Sequence, residues 1–262
     1  MFLIDYNDSF SSFHFSESLH KSGFAFLKNH PVNLELVNKV YDKWSYFFYS
    51  EIDEKNKYIF DETNHDGFVS QDRSETAKGF SKKDEKDFYH VYIWGRCPEY
   101  LRDETIEFFK EMHNLATILV KWLDISNKDN VIDVNNSLLR PIYYPPTKSF
   151  VRAQEHGDIN ILTLLPATKE GGLQIRINNT WIDAPVDPSV MIINSGDMLN
   201  LLTNGSYPSG IHRVLGSSGK RISLPFFSHP YDELKLSEIH TALSFKNERF
   251  EDIGIKKNKD EM

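Results

Sequence analysis

A chain of 262 residues with 13% aromatic residues and a formal net charge of −8 can bury a sizeable core in one large domain. Its acidity disfavours a nucleic-acid partner, which needs a basic face. A single cysteine, Cys97, excludes an intramolecular disulfide and a cysteine-based zinc site, and suits a reducing, cytoplasmic setting.

The start, Met1-Phe2-Leu3-Ile4-Asp5, turns acidic at once, so no signal peptide is expected. No window approaches the roughly 18 apolar residues of a membrane span, so no membrane partner is expected. The first third has a helical texture. Val37, Val40, Tyr41, Trp44, Phe47 and Phe48 recur at spacings of three and four, which predicts an amphipathic helix. Asn33, after Pro31, is its expected N-cap. A second helix is predicted from about Glu99 to Leu123, with the stripe Phe108, Phe109, Met112, Leu115, Ala116, Leu119 and Leu123 facing the core. Between the two lies a polar stretch from Asp61 to Lys86. It carries Gly67, Gly79 and the basic residues Arg73, Lys78, Lys82 and Lys83. Such a segment serves either as a lid over a site or as a surface loop.

From Leu138 onward the texture is β. Short apolar runs follow one another: Arg140 to Tyr144, Ile159 to Leu165, Leu173 to Ile177, Thr180 to Ile182, Val190 to Asn194, Ile211 to Leu215 and Ile222 to Ser228. Asn178-Asn179 has the composition of a hairpin turn. Many short strands imply a sandwich or barrel, with a jelly roll among the forms. The expected organisation is mainly β with N-terminal helices: a helical region over residues 1–130 packed on a core over 131–262. No Pro/Gly/Ser-rich linker separates them, so they form one structural unit. The tract Lys256-Lys257-Asn258-Lys259 is expected to be a solvated tail.

The chemistry lies in His156-Gly157-Asp158, followed 54 positions after the aspartate by His212. Two imidazoles and a carboxylate can hold one face of an Fe(II) ion and leave other positions open, although zinc could take the same ligands. Strand residues two apart share a face, so His156 and Asp158 are expected to point the same way, together with Gln154, Asn160 and Leu162. The wide gap before His212 suits approach from a sheet packed opposite. Arg221 and Ser223 are also two apart. A guanidinium is a planar fork matched to a carboxylate, and an inward arginine in a barrel needs an anion.

The stretch from Tyr143 to Pro230 resembles the iron- and 2-oxoglutarate-dependent oxygenases of the isopenicillin N synthase-like family. The matching elements, in order, are Tyr143-Tyr144-Pro145, His156-Gly157-Asp158, Gly172-Leu173-Gln174, Gly196-Asp197, Asn204-Gly205-Ser206-Tyr207, His212-Arg213 and Arg221-Ile222-Ser223. A looser likeness covers Ser22 to Phe26, Asn29-His30, Phe47-Phe48, Glu54-Lys55 and Asp84 to Tyr92. The resemblance implies a double-stranded β-helix (jelly-roll) core, with iron held by His156, Asp158 and His212. It implies that Arg221 and Ser223 bind the distal carboxylate of 2-oxoglutarate and that Tyr144 adds its hydroxyl. One departure is Ile142, where the family often has asparagine two positions before the tyrosine.

The implied reaction consumes O2 and 2-oxoglutarate, releases succinate and carbon dioxide, and hydroxylates a substrate; desaturation and ring closure are variants. An oxidase that uses Fe(II) and O2 without 2-oxoglutarate is the rival, since Leu224-Pro225-Phe226-Phe227 is similar to the segment in isopenicillin N synthase itself. A non-catalytic binding jelly roll is a rival of another class. The substrate is expected to be a small carboxylate- or amino-acid-like molecule, with Arg73, Lys78, Arg152, Gln154 and Phe227 as candidate contacts. Oligomeric state is not legible in the residues.

Overall fold

A computed structural model of the chain describes residues 3–74, 83–126 and 131–252. β1 (Leu3–Asp5) precedes α1 (Ser11–Ser22) and β2 (Phe24–Lys28). α1 stops at Gly23, whose φ of +74° lies in the left-handed region that glycine tolerates. α2 (Leu34–Tyr49) begins as expected: the Asn33 side chain accepts from the backbone N–H groups of Glu35 and Leu36. It buries Leu36, Val37, Val40, Trp44, Phe47 and Phe48. A short α3 (Ile52–Asn56) leads to β3 (Gly67–Val69), a 3₁₀ turn (Gln71–Arg73) and β4 (Asp87–His90). α4 (Glu99–Lys121) carries the predicted stripe into the core. The β region then runs β5 (Leu138–Leu139), β6 (Ile142–Tyr144), β7 (Val151–His156), β8 (Leu162–Pro166), β9 (Leu173–Ile177), β10 (Thr180–Asp183) and β11 (Met191–Ser195). After α5 (Asp197–Leu202) come β12 (His212–Leu215), β13 (Arg221–Ser223), β14 (Phe226–Ser228) and α6 (Ala242–Asp252).

These strands make a six-stranded sheet, β1-β2-β11-β8-β14-β5, and two four-stranded sheets, β10-β9-β12-β7 and β13-β6-β4-β3. Every pairing is antiparallel except β1 with β2. The result is a mainly β protein with a jelly-roll core and helices packed outside it. Among the described residues no helix is long and apolar enough to cross a membrane.

The structure departs from the sequence reading in four places. The N-terminal third is not purely helical: Phe24-Ala25-Phe26-Leu27 is an unbroken buried run that pairs with β11, so it is a central strand of the large sheet. β7 lies outside the expected apolar runs, and the strand face expected to carry Gln154, His156, Asp158, Asn160 and Leu162 is broken: β7 ends at His156 and β8 starts at Leu162, so Asp158 and Asn160 sit in the turn between them. The run Ile222 to Ser228 is two strands, because Pro225 lacks an N–H and the chain changes sheets there: β13 pairs with β6, and β14 with β5 and β8. The stretch from Asp61 to Lys86 is not one loop. It contains β3, the 3₁₀ turn and a buried Asp66 paired with Arg96 at 2.7 Å. Its residues 75–82, with Lys78, Gly79 and Lys82, lie outside the described residues.

Trp44 is the clearest single anchor of the helical layer. It is fully buried, donates from Nε1 to Thr105 Oγ1 at 3.1 Å, and has the rings of Phe47 and Tyr89 at 5.4 and 5.1 Å. Trp44→Ala should lower unfolding free energy by about 3–5 kcal/mol, the range for emptying a buried aromatic site. Urea denaturation measures this; a loss under about 1 kcal/mol would mean the layer repacks freely.

Candidate active site

β7 and β12 are neighbours in one sheet, and His156 is the register partner of His212. This corrects the expectation that His212 approaches from an opposite sheet: the two imidazoles stand side by side, ring centroids 4.4 Å apart. The chain leaves β7 at His156 and turns through Gly157, where a Cβ would collide with Ser209. The turn brings Asp158 under both rings. Its Oδ1 lies 4.0 Å from His156 Nε2 and 3.8 Å from His212 Nε2. The three candidate ligand atoms fall within 4.8 Å of one another.

Hydrogen bonds aim these atoms. His156 Nδ1 lies 2.7 Å from the Gln154 carbonyl and His212 Nδ1 lies 3.1 Å from the Gly210 carbonyl. Each ring therefore carries its proton on Nδ1 and presents an Nε2 lone pair. Asp158 Oδ2 accepts from Thr163 Oγ1 at 2.6 Å and Asn194 Nδ2 at 2.9 Å, leaving Oδ1 for an ion. Burial depresses the His156 pKa, and His212 beside it adds to the effect, so this imidazole is a neutral ligand. Burial pushes the Asp158 carboxyl up, but His212, His156 and the two hydrogen bonds outweigh it and hold the group below the usual range. Two imidazole nitrogens and one carboxylate oxygen suit a borderline divalent cation such as Fe(II). Thr163→Val should weaken Fe(II) or Mn(II) binding roughly 10- to 100-fold, the usual cost of losing an outer partner of a ligand. Equilibrium dialysis measures it; unchanged affinity would remove Thr163 from the account.

The triad lies on the wall of a cavity of about 670 Å³. At one end β13 and β6 face it in register, Arg221 opposite Tyr144 and Ser223 opposite Ile142, and all four side chains line it. Arg221 is 4% exposed. It donates to Thr168 Oγ1 and to the Gly171 carbonyl, while its Nε–H has no acceptor. Among the described residues it forms no ion pair. Burial pulls its pKa down and raises that of Tyr144, so the phenol stays neutral. A desolvated guanidinium that forms no ion pair among the described residues and lines a cavity can take an anion from outside the chain. Ile142, the departure from the family pattern, leaves that wall apolar opposite Ser223.

Of the four candidate substrate contacts among the described residues, Phe227 alone lines the cavity. Arg73 is on the surface, 3.4 Å from Glu62. Arg152 is buried, but its Nη2 donates to the Ser217 and Gly219 carbonyls in the turn before β13, and it does not line the cavity. Gln154 contributes its backbone carbonyl to His156 rather than a side chain to the cavity. Lys78 lies outside the described residues. The sequence reading missed Arg140, His229 and the α6 residues Lys246 and Arg249, which do line it. One signal was available for α6. Thr241 and Ser244 cap its start reciprocally, Ser244 N–H donating to Thr241 Oγ1 and Thr241 N–H to Ser244 Oγ.

Comparison with known proteins agrees with this geometry. The profile of the 2OG-Fe(II) oxygenase superfamily matches residues 135–230, and that of the non-haem dioxygenase in morphine synthesis N-terminal region matches residues 12–110. The chain is 28% identical to jasmonate-induced oxygenase 2 of Arabidopsis thaliana, over 88% of this chain and 68% of that protein. It is 29% identical to thebaine 6-O-demethylase of Papaver somniferum, over 85% and 67% respectively, and so spans about two thirds of these relatives' length. A solved Shewanella oneidensis structure assigned to the oxygenases superposes with a TM-score of 0.85 at 36% identity, covering 98% of this chain and 99% of that one. The chain is therefore an enzyme of the 2OG-Fe(II) oxygenase superfamily, with Fe(II) as its metal and 2-oxoglutarate as its cosubstrate.

Proposed function

We propose that His156, Asp158 and His212 hold the iron, that Arg221 with Ser223 and Tyr144 anchors the distal carboxylate of 2-oxoglutarate, and that the enzyme hydroxylates a small organic metabolite bound at the far end of the same cavity. The observation that carries this reading is Arg221, a buried guanidinium that forms no ion pair among the described residues, in one cavity with the triad. When bound, Fe(II) activates O2 as 2-oxoglutarate is oxidised to succinate and carbon dioxide, and substrate carbon is the second reductant. The chain supplies ligand geometry, a cation to orient the keto acid, a neutral phenol donor and apolar walls that exclude water, among them Leu165, Leu173, Ile192 and Val214. A cavity of about 670 Å³ suits a metabolite rather than a polymer. The relative named for thebaine demethylation fits a small-molecule substrate as well. The same reading expects a reducing, cytoplasmic setting.

The oxidase alternative places a substrate carboxylate, not 2-oxoglutarate, at Arg221. Succinate release distinguishes the two. O2 uptake by the Fe(II) enzyme should depend on added 2-oxoglutarate, with succinate formed in equal amount. O2 uptake without 2-oxoglutarate and without succinate would support the oxidase.

A further inference from the structure

Arg221 is held by one nitrogen. Its Nη1 has two hydrogens and two acceptors, Thr168 Oγ1 and the Gly171 carbonyl. These are the only hydrogen bonds of the guanidinium among the described residues, and its buried Nε–H has no acceptor. A guanidinium offers a carboxylate two bidentate edges. The end-on edge pairs Nη1 with Nη2, and the side-on edge pairs Nε with Nη2. With both Nη1 hydrogens committed, the side-on edge is the one free to grip a carboxylate.

The tether is itself fixed. Thr168 and Gly171 lie in the turn between β8 and β9. At one side of this turn Ala167 N–H donates to the Val190 carbonyl at 2.9 Å. At the other the Gly172 carbonyl accepts from Leu215 N–H at 2.8 Å. Thr168 is buried, which keeps solvent from its hydroxyl. A freely rotating arginine loses rotamer entropy when it grips a ligand, and a side chain already tied down loses less. Neither acceptor carries a charge. They order the guanidinium and leave its positive charge for a ligand.

We propose that Thr168 is a positioning residue for the cosubstrate: it holds Nη1 of Arg221 and so presents the side-on edge, Nε–H with Nη2–H, to the distal carboxylate of 2-oxoglutarate. This rests on the functional reading above, in which Arg221 receives that carboxylate. Thr168 is 53 positions from Arg221 in the chain and stands outside the sequence elements that mark the family.

The test uses the full chain loaded with Mn(II), an inert stand-in for Fe(II). 2-Oxoglutarate is compared with 2-oxopentanoate, the same keto acid without the distal carboxylate, and binding is followed by the broadening of ligand NMR lines near Mn(II). Thr168→Val keeps the shape of the side chain and removes its hydroxyl. It should weaken 2-oxoglutarate binding about tenfold, the scale of a hydrogen bond to a charged group, and 2-oxopentanoate binding by less than about twofold. Thr168→Ser, which restores the hydroxyl, should bring 2-oxoglutarate to within about twofold of the native affinity. Unchanged 2-oxoglutarate affinity in the valine variant, equal weakening of both acids, or a serine variant as weak as the valine one would each overturn the proposal. Arg221→Ala in the same assay separates the two claims. If it leaves the preference for 2-oxoglutarate over 2-oxopentanoate intact, the functional reading falls and the role of Thr168 with it. If it erases that preference while Thr168→Val does not lessen it, the role of Thr168 alone falls.

Discussion

His212→Ala should weaken Fe(II) binding by more than about 100-fold and abolish turnover, because it removes one of the three proposed metal ligands and even an outer partner of a ligand is worth roughly 10- to 100-fold. The substitution leaves the backbone pairing of β12 with β7 in place, and His212 Nδ1 bonds only the nearby Gly210 carbonyl, so the fold should persist. Metal content after anaerobic loading, with circular dichroism as the folding control, checks it. Full metal content and activity would mean the ion sits elsewhere.

The second large effect is expected at the other end. Arg221→Ala should raise the KM for 2-oxoglutarate roughly 30- to 1,000-fold, since a desolvated, charge-assisted fork contributes on the order of 2–4 kcal/mol. Burial strengthens the expectation: at 4% exposure, water cannot replace the guanidinium. Arg221→Lys should recover only part, because a point charge lacks the planar fork and the stem is shorter. The Lys/Ala difference in KM separates an anchoring role from a packing role. An unchanged KM in the alanine variant would favour the oxidase.

The two site ends differed in how readable they were. Arg221-x-Ser223 is a local motif whose spacing fixes a shared strand face; His156-x-Asp158 is local too, but its two side chains converge through the turn at Gly157, and His212 joins them by strand pairing. Asn33 and Asn178-Asn179 were legible for the same reason: a cap and a two-residue turn are decided by neighbouring residues, and both asparagines of the turn have positive φ, 49° and 61°. What escaped depends on long-range pairing. β7 carries Arg152 into the interior, a polar residue made tolerable by the Ser217 and Gly219 carbonyls more than sixty positions away. The neighbourhood of His156 and His212 follows from that same pairing. Basic residues in a long polar stretch suggest a substrate contact, which points to Arg73 and Lys78. The cavity is lined instead by Arg140, His229 and Lys246, which come from a turn, a strand exit and helix α6, three segments with no common pattern in sequence.

The central claim is that one cavity holds Fe(II) on His156, Asp158 and His212 and 2-oxoglutarate on Arg221. Anaerobic calorimetric titration of 2-oxoglutarate into the protein, with and without Fe(II), tests it most directly. One iron and one 2-oxoglutarate per chain are expected, with 2-oxoglutarate affinity dependent on iron and lost in both His212→Ala and Arg221→Ala. Binding of 2-oxoglutarate that is equally tight in the metal-free protein and in both variants would contradict it.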